Sequence, residues 1–202
     1  SGHMGADAAG FLIVYNSCRN IFRRNQARLG GDGFFLAGMC PGHEEGTFEA
    51  CGSNENLFED NDGSYSPNIA FEATFSQGNI FRGNQANHSN YGFWLGFSSG
   101  STLENNTLIG NRQAGIATEN GVEMQVRGNR FQANGHGILL WSKLISGYET
   151  GAPANNTSYN WVIEENTFQD NRKALRIAAN QDHGIRPLPD TGEYGRPAPA
   201  PA

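Results

Sequence analysis

Apolar and polar positions along this chain recur in two short patterns. The first is a hexad whose third residue is apolar and whose last is asparagine. It reads Asn20-Ile-Phe-Arg-Arg-Asn25, Asn56-Leu-Phe-Glu-Asp-Asn61, Asn79-Ile-Phe-Arg-Gly-Asn84, Ser101-Thr-Leu-Glu-Asn-Asn106, Met124-Gln-Val-Arg-Gly-Asn129 and Trp161-Val-Ile-Glu-Glu-Asn166. The closing asparagines are 36, 23, 22, 23 and 37 residues apart. The second pattern is a short run of period two: Gly10-Phe-Leu-Ile13, Gly33-Phe-Phe-Leu36, Asn68-Ile-Ala-Phe71, Gly92-Phe-Trp-Leu95, Gly115-Ile-Ala-Thr118, Gly137-Ile-Leu-Leu140 and Ala174-Leu-Arg-Ile177. Short alternating runs bounded by Gly or Asn predict strands. A fixed period near 22–23 residues predicts a solenoid.

Alternation assigns an inward face to Phe34/Leu36, Ile69/Phe71, Phe93/Leu95, Ile138/Leu140 and Leu175/Ile177, with Thr118 the polar exception. The closing asparagines sit where the chain turns. Asn tolerates the left-handed region, and its amide can bond backbone groups, so the six predict a buried stacked ladder. A second, partial ladder is predicted at Asn111, Asn134 and Asn171. The fourth hexad position reads Arg23, Glu59, Arg82, Glu104, Arg127, Glu164. Opposite charges in successive strands about 4.8 Å apart predict a register-setting surface ladder. A Leu-x-x-Leu-x-Leu consensus and a 3.6-residue apolar stripe are both missing, which excludes leucine-rich and helical repeats. The fold class is all-β, a parallel β-helix of about seven coils.

Gly-Ile-x-Leu followed by Asn-x-Phe-x-x-Asn resembles the right-handed β-helix repeat proteins. That group includes pectate-lyase-like enzymes, C5-epimerases and NosD-type periplasmic proteins. The resemblance covers residues 10–180 and supplies the right-handedness. It also implies a secreted, periplasmic or cell-surface location. A local stretch, Gly135-His-Gly137 with Arg176-Ile177 in the next coil, is similar to elements of polygalacturonases. Their aspartates have no counterpart here, and Ala178 stands where they carry Lys. His136 stays a candidate on that basis.

Ser1–Met4 reads as a cloning scar, residues 5–180 as one β-helix domain and 181–202 as a Pro-rich tail. The chain enters a strand with no end cap before it, so it is expected to be part of a longer native protein. A net charge of −6 and the absence of a basic patch exclude nucleic acid as partner. No apolar run is long enough for a membrane span.

The two long spacings locate insertions at residues 38–54 and 142–160, both leaving the same turn. In a solenoid, insertions on one face build binding surfaces. They predict a trough over coils 3 to 5. Cys40 and Cys51 lie in the first insertion. A disulfide, free thiols, and a metal site with His43 are the readings in descending order; the site itself calls for no metal and no cofactor.

Outward positions of the period-two strands pair as Leu12/Val14, Phe35/Ala37, Ala70/Glu72, Trp94/Gly96, Ala117/Glu119, Leu139/Trp141 and Arg176/Ala178. This places Glu72 and Glu119 in one column about 9–10 Å apart, with Gly96 leaving space between them. That separation suits an inverting glycosidase. The reading is a polysaccharide- or oligosaccharide-binding domain. Glu72 and Glu119 are acid and base, His136 is an auxiliary catalytic group, and Trp94, Trp141, Tyr91, Phe35 and Arg176 contact sugar. The alternatives are a non-catalytic binding or structural solenoid, and a lyase or epimerase with His136 or Tyr91 as base.

Overall fold

The computed structural model describes residues 8–38, 52–142 and 158–179. These form a parallel β-helix. One sheet stacks β1 (Phe11–Ile13), β3 (Phe34–Ala37), β5 (Ile69–Thr74), β7 (Tyr91–Trp94), β10 (Ala114–Glu119), β13 (His136–Ser142) and β16 (Lys173–Ala179) in that order. A second stacks the hexads: β2 (Ile21–Arg23), β4 (Leu57–Glu59), β6 (Ile80–Arg82), β8 (Thr102–Glu104), β11 (Gln125–Arg127) and β14 (Val162–Glu164). A third holds β9 (Thr107–Ile109), β12 (Arg130–Gln132) and β15 (Thr167–Gln169). We number coils by the strand of the first sheet.

The closing asparagines form the expected ladder. The backbone N–H of Asn25, Asn61, Asn84, Asn106 and Asn129 each donates to the side-chain oxygen of the next member, ending at Asn166, over 2.8–2.9 Å. The side-chain amide of Asn84 also donates to Phe58 O, and that of Asn106 to Phe81 O, each at 2.9 Å. Asn111, Asn134 and Asn171 repeat the arrangement at the next corner. One detail differs from expectation. The left-handed residue is the one before each asparagine: Arg24, Asp60, Gly83, Asn105, Gly128 and Glu165 have φ between 55° and 67°. The asparagine is required for its amide and not for its backbone freedom.

The charge ladder also forms. Glu59 pairs with Arg23 and Arg82, and Glu104 with Arg82 and Arg127. Exposed arginines make each pair worth under about 1 kcal/mol, so the ladder sets register more than stability.

The core changes composition along the axis. The first sheet contributes Phe11, Phe34, Phe71 and Phe93, then Ile116, Ile138 and Leu175. The second contributes Phe22, Phe58 and Phe81, then Leu103, Val126 and Ile163. The third side runs the other way, from Ala27, Gly63 and Ala86 to Leu108, Phe131 and Phe168. Large rings on two walls thus meet small residues on the third, and the balance inverts near the middle. Interior volume per coil stays filled, as close packing demands. The rings stack along the axis, with Phe34 and Phe71 centroids 4.8 Å apart and Phe131 and Phe168 4.7 Å apart. Thr118 points inward, fully buried, and its hydroxyl has no partner.

Strands β3 and β13 end at Ala37 and Ser142; the sequence reading begins its two insertions at residues 38 and 142. Most of the two stretches expected to be insertions, with Cys40, His43 and Cys51, and residues 1–7 and 180–202 lie outside the described residues.

Candidate functional site

The outward face of the first sheet carries the candidate residues in two columns. One runs Leu12, Phe35, Glu72, Trp94, Ala117, Leu139, Arg176. The neighbouring one contains Ala37 beside Thr74, and Glu119 beside Trp141 and then Ala178. Gly96 lies between Thr74 and Glu119, since Phe75 N–H donates to Gly96 O and Phe97 N–H to Glu119 O.

This corrects the sequence reading at Glu72. The register aligns Phe71 with Phe34 and Phe93, so Ala70 and not Asn68 takes the glycine place. A Cβ on Gly33 would meet Ala70 O at 2.5 Å, which shows the close approach there. Coil 3 is therefore shifted by two residues, which preserves parity and moves the column. Glu72 faces Trp94, and Glu119 stands one column away. Two strand spacings and two residues along the strand separate their backbones by about 12 Å. The space over Gly96 is also filled: a Cβ there would lie 3.0 Å from Trp94 Nε1. No open slot separates two opposed carboxylates.

The aromatic candidates do converge. Tyr91 and Trp94 rings meet edge to face at 5.0 Å, and Trp94 and Trp141 at 5.2 Å. The small residues Ala117 and Gly96 make this possible. Ala117 points outward yet is fully buried, and Gly96 lets the Trp94 indole lie across the strand. All three rings remain partly exposed.

Glu72 sits between Phe35 and Trp94. Removal from water, followed by the charge of Asp32, pushes its carboxyl up to about 8. It therefore holds its proton at neutral pH. Asp32 escaped the sequence reading. It is fully buried and accepts the Ile69 N–H at 3.0 Å through Oδ1. Burial raises its carboxyl as well. Its signal was positional: Asp32 shares a column with Ile69, Tyr91, Ala114, His136 and Lys173, two residues before the inward Phe34.

His136 and Tyr91 share that column with Ala114 between them. His136 Nδ1 lies 3.1 Å from Gln113 O, so Nδ1 carries the proton and Nε2 is the acceptor of the neutral ring. Desolvation, then the cations Arg176, Arg172 and Lys173, keep the imidazole below its ordinary value. Arg176 is exposed, three coils from Trp94 in the same column.

Stacked parallel strands, side-chain ladders and an outward aromatic face define a parallel β-helix repeat protein. The sequence profile of NosD, described as a periplasmic copper-binding protein, matches residues 12–186, and the chain belongs to that family. Among solved structures, the A-module of the mannuronan C-5 epimerase of Azotobacter vinelandii aligns at 17% identity with a TM-score of 0.43. That alignment covers 81% of this chain and 47% of the epimerase chain, so this chain spans about half of that one. No curated protein matches the sequence.

The family description names copper. Among the described residues, no three His, Cys, Asp or Glu side chains converge on a point that could hold a metal. Cys18 Sγ is engaged with Asn16, Gly52 and Asn54, and His88 stacks on Tyr65. The described residues do not fit a copper centre. Nor does any helix among them have the length and apolarity to cross a membrane.

Proposed function

We propose that this chain is an exported carbohydrate-binding solenoid that holds a neutral or weakly charged polysaccharide against the outer face of its first sheet. The observation that carries this reading is the contact chain Tyr91–Trp94–Trp141, laid over Ala117 and Gly96. Aromatic rings fixed on a rigid sheet suit the apolar faces of sugar rings, and little ordering is needed on binding. Glu72, protonated beside Trp94, is a hydrogen-bond donor to a sugar oxygen. Arg176 and His136 flank the face at its far end. The periplasmic description of the family fits a protein that meets glycans outside the cytoplasm.

The test is calorimetric titration with the disaccharides and hexasaccharides of β-1,4-glucan, β-1,4-mannan and β-1,4-xylan. Binding of at least one series, lost in Trp94→Ala and Trp141→Ala with melting temperature nearly unchanged, is the expected result. Full affinity in both variants, or no binding in any series, would sink the reading.

Hydrolysis is the second reading, favoured by the proton that Glu72 retains at neutral pH. A glycosidase needs such a carboxylic acid to protonate the leaving oxygen. Reducing-end release from a bound glycan, abolished in Glu72→Gln, would establish turnover; binding without release would leave the chain a binding module.

A further inference from the structure

The two ends of this β-helix are complementary in charge. Among the described residues, β1 and β2 are the outermost strands at one end, and β14 and β16 at the other. Residues 10–31, in the first coil, include Arg19, Arg23, Arg24 and Arg28 and no acidic residue. Residues 160–171, at the opposite end, include Glu164, Glu165 and Asp170 and no Lys or Arg. Two columns carry these charges at their ends. One is the hexad column from Arg23 to Glu164. The other is the left-handed column from Arg24 through Asp60, Gly83, Asn105 and Gly128 to Glu165. The second does not alternate in sign, so its opposed ends are independent of the register ladder. Arg24, Glu164, Glu165 and Asp170 form no ion pair among the described residues.

The asparagine ladder is polar in the same sense. Each member's N–H donates to the side-chain oxygen of the next, from Asn25 to Asn166. The Oδ1 of Asn25 and the N–H of Asn166 make no hydrogen bond among the described residues. One end of the column therefore offers an acceptor and the other a donor. Apolar surface is concentrated at the arginine end. Of the seven exposed large hydrophobic side chains among the described residues, Leu12, Tyr15, Ile21 and Leu29 lie in the first coil. Phe11 and Phe22 stack on Phe34 and Phe58, with centroids 4.7 and 4.8 Å apart, and remain partly exposed. At the far end Ile163, Phe168 and Leu175 are partly exposed too, and Val162 closes the column that Ile21 begins. Outermost strands that present apolar side chains are templates for pairing with another chain.

We propose that this chain binds a second copy of itself head to tail, the first coil of one copy stacking on the last coil of its neighbour as a further turn of the β-helix. Arg23 and Arg24 of one copy then meet Glu164 and Glu165 of the neighbouring copy at one strand spacing, about 4.8 Å. Asn25 becomes the next member of the neighbour's ladder, and Ile21 and Phe22 pack beside Val162 and Ile163. Two like ends would oppose arginine to arginine or glutamate to glutamate, which is destabilising, so the contact joins unlike ends. Such a heterologous contact, when it does not close, gives a linear stack. The stack carries the first sheets of successive copies into one surface, with their Tyr91–Trp94–Trp141 groups in a row. The residues that make the contact are not those assigned to sugar, so the inference stands apart from the carbohydrate reading.

The experiment is sedimentation velocity on the wild-type chain, Arg24→Glu and Glu165→Arg, each over a concentration series up to about 500 µM, the range a weak contact needs. Both positions are exposed, and circular dichroism checks that the variants fold. The wild type should form a series of species that lengthens with concentration. Each variant alone opposes like charges and should associate at least about fivefold more weakly. An equimolar mixture of the two should recover wild-type association, because alternating copies join opposite charges at every contact. Contact between like ends predicts no such recovery. If one variant does not fold, Arg24→Gln or Glu165→Gln takes its place and must still weaken association. A wild type that stays monomeric throughout overturns the inference and leaves these ends to be covered from within a longer native chain. Association that stops at a dimer, that neither variant weakens, or that mixing does not restore overturns it as well.

Discussion

Glu72 stands directly beside Trp94, in adjacent strands of one column, with Phe35 on its other side. Two aromatic neighbours exclude water from the carboxyl and so favour its neutral form. A group whose folded-state value lies above its unfolded one binds more protons in the native state between those values. Stability therefore falls as pH rises from the ordinary glutamate range to about 8. Below that range the contribution is fully present; above pH 8 it is lost. The loss should be a few kcal/mol at most. Melting curves from pH 4 to 9 should show this slope in the wild type and a flatter one in Glu72→Gln. Parallel curves would show that Glu72 is ionised when folded.

Asn106 is 1% exposed, and its amide donates to Phe81 O and to Asn129 Oδ1. Its own Oδ1 accepts from Asn84 at 2.8 Å. Asn106→Ala removes all of these and strands buried partners, so urea unfolding should report a loss of about 1–3 kcal/mol. Asn106→Asp should cost more, because it buries a charge and removes the amide donor.

Gly137 approaches the next coil closely. A Cβ there would lie 2.5 Å from Ala174 O and 2.7 Å from the Phe168 ring. The carbonyl belongs to a strand and cannot move aside cheaply. Gly137→Ala is expected to destabilise by about 1–3 kcal/mol through overpacking. Gly96→Ala, where the contact is a side chain, should cost less. Thermal unfolding of the two variants side by side decides whether backbone approach controls the difference.

Much of the fold was legible because a solenoid repeats its constraints. The spacing of Asn25 to Asn166, the alternating Arg and Glu, and the apolar third position all describe one strand lying on its copy. The candidate site was less legible because it depends on register and rotamer. Asn68 looked like the start of its strand, while Ala70 held the place that close packing assigns to glycine; two residues of slip moved Glu72 to another column with its parity intact. The Trp94 indole fills the space over Gly96, and no spacing rule tells which way an indole turns. Asp32 was missed because its column otherwise holds residues of no common type.

The Trp94 orientation gives the sharpest test of the site. Its indole lies over Gly96, with Tyr91 against one side and Trp141 against another. A branched side chain at position 96 occupies the space that the ring now fills. Gly96→Val should therefore turn Trp94 outward and break both ring contacts without touching the asparagine ladder. Of the three tryptophans, Trp161 is buried, with its Nε1 donating to Gly121 O at 2.9 Å. It serves as an internal reference for folding. The variant should show red-shifted, more quenchable emission from the exposed pair, with the buried component unchanged. Glycan affinity should fall with it, as in Trp94→Ala. Native emission together with native affinity in Gly96→Val would mean that the ring does not depend on the glycine, and the platform would lose its structural basis.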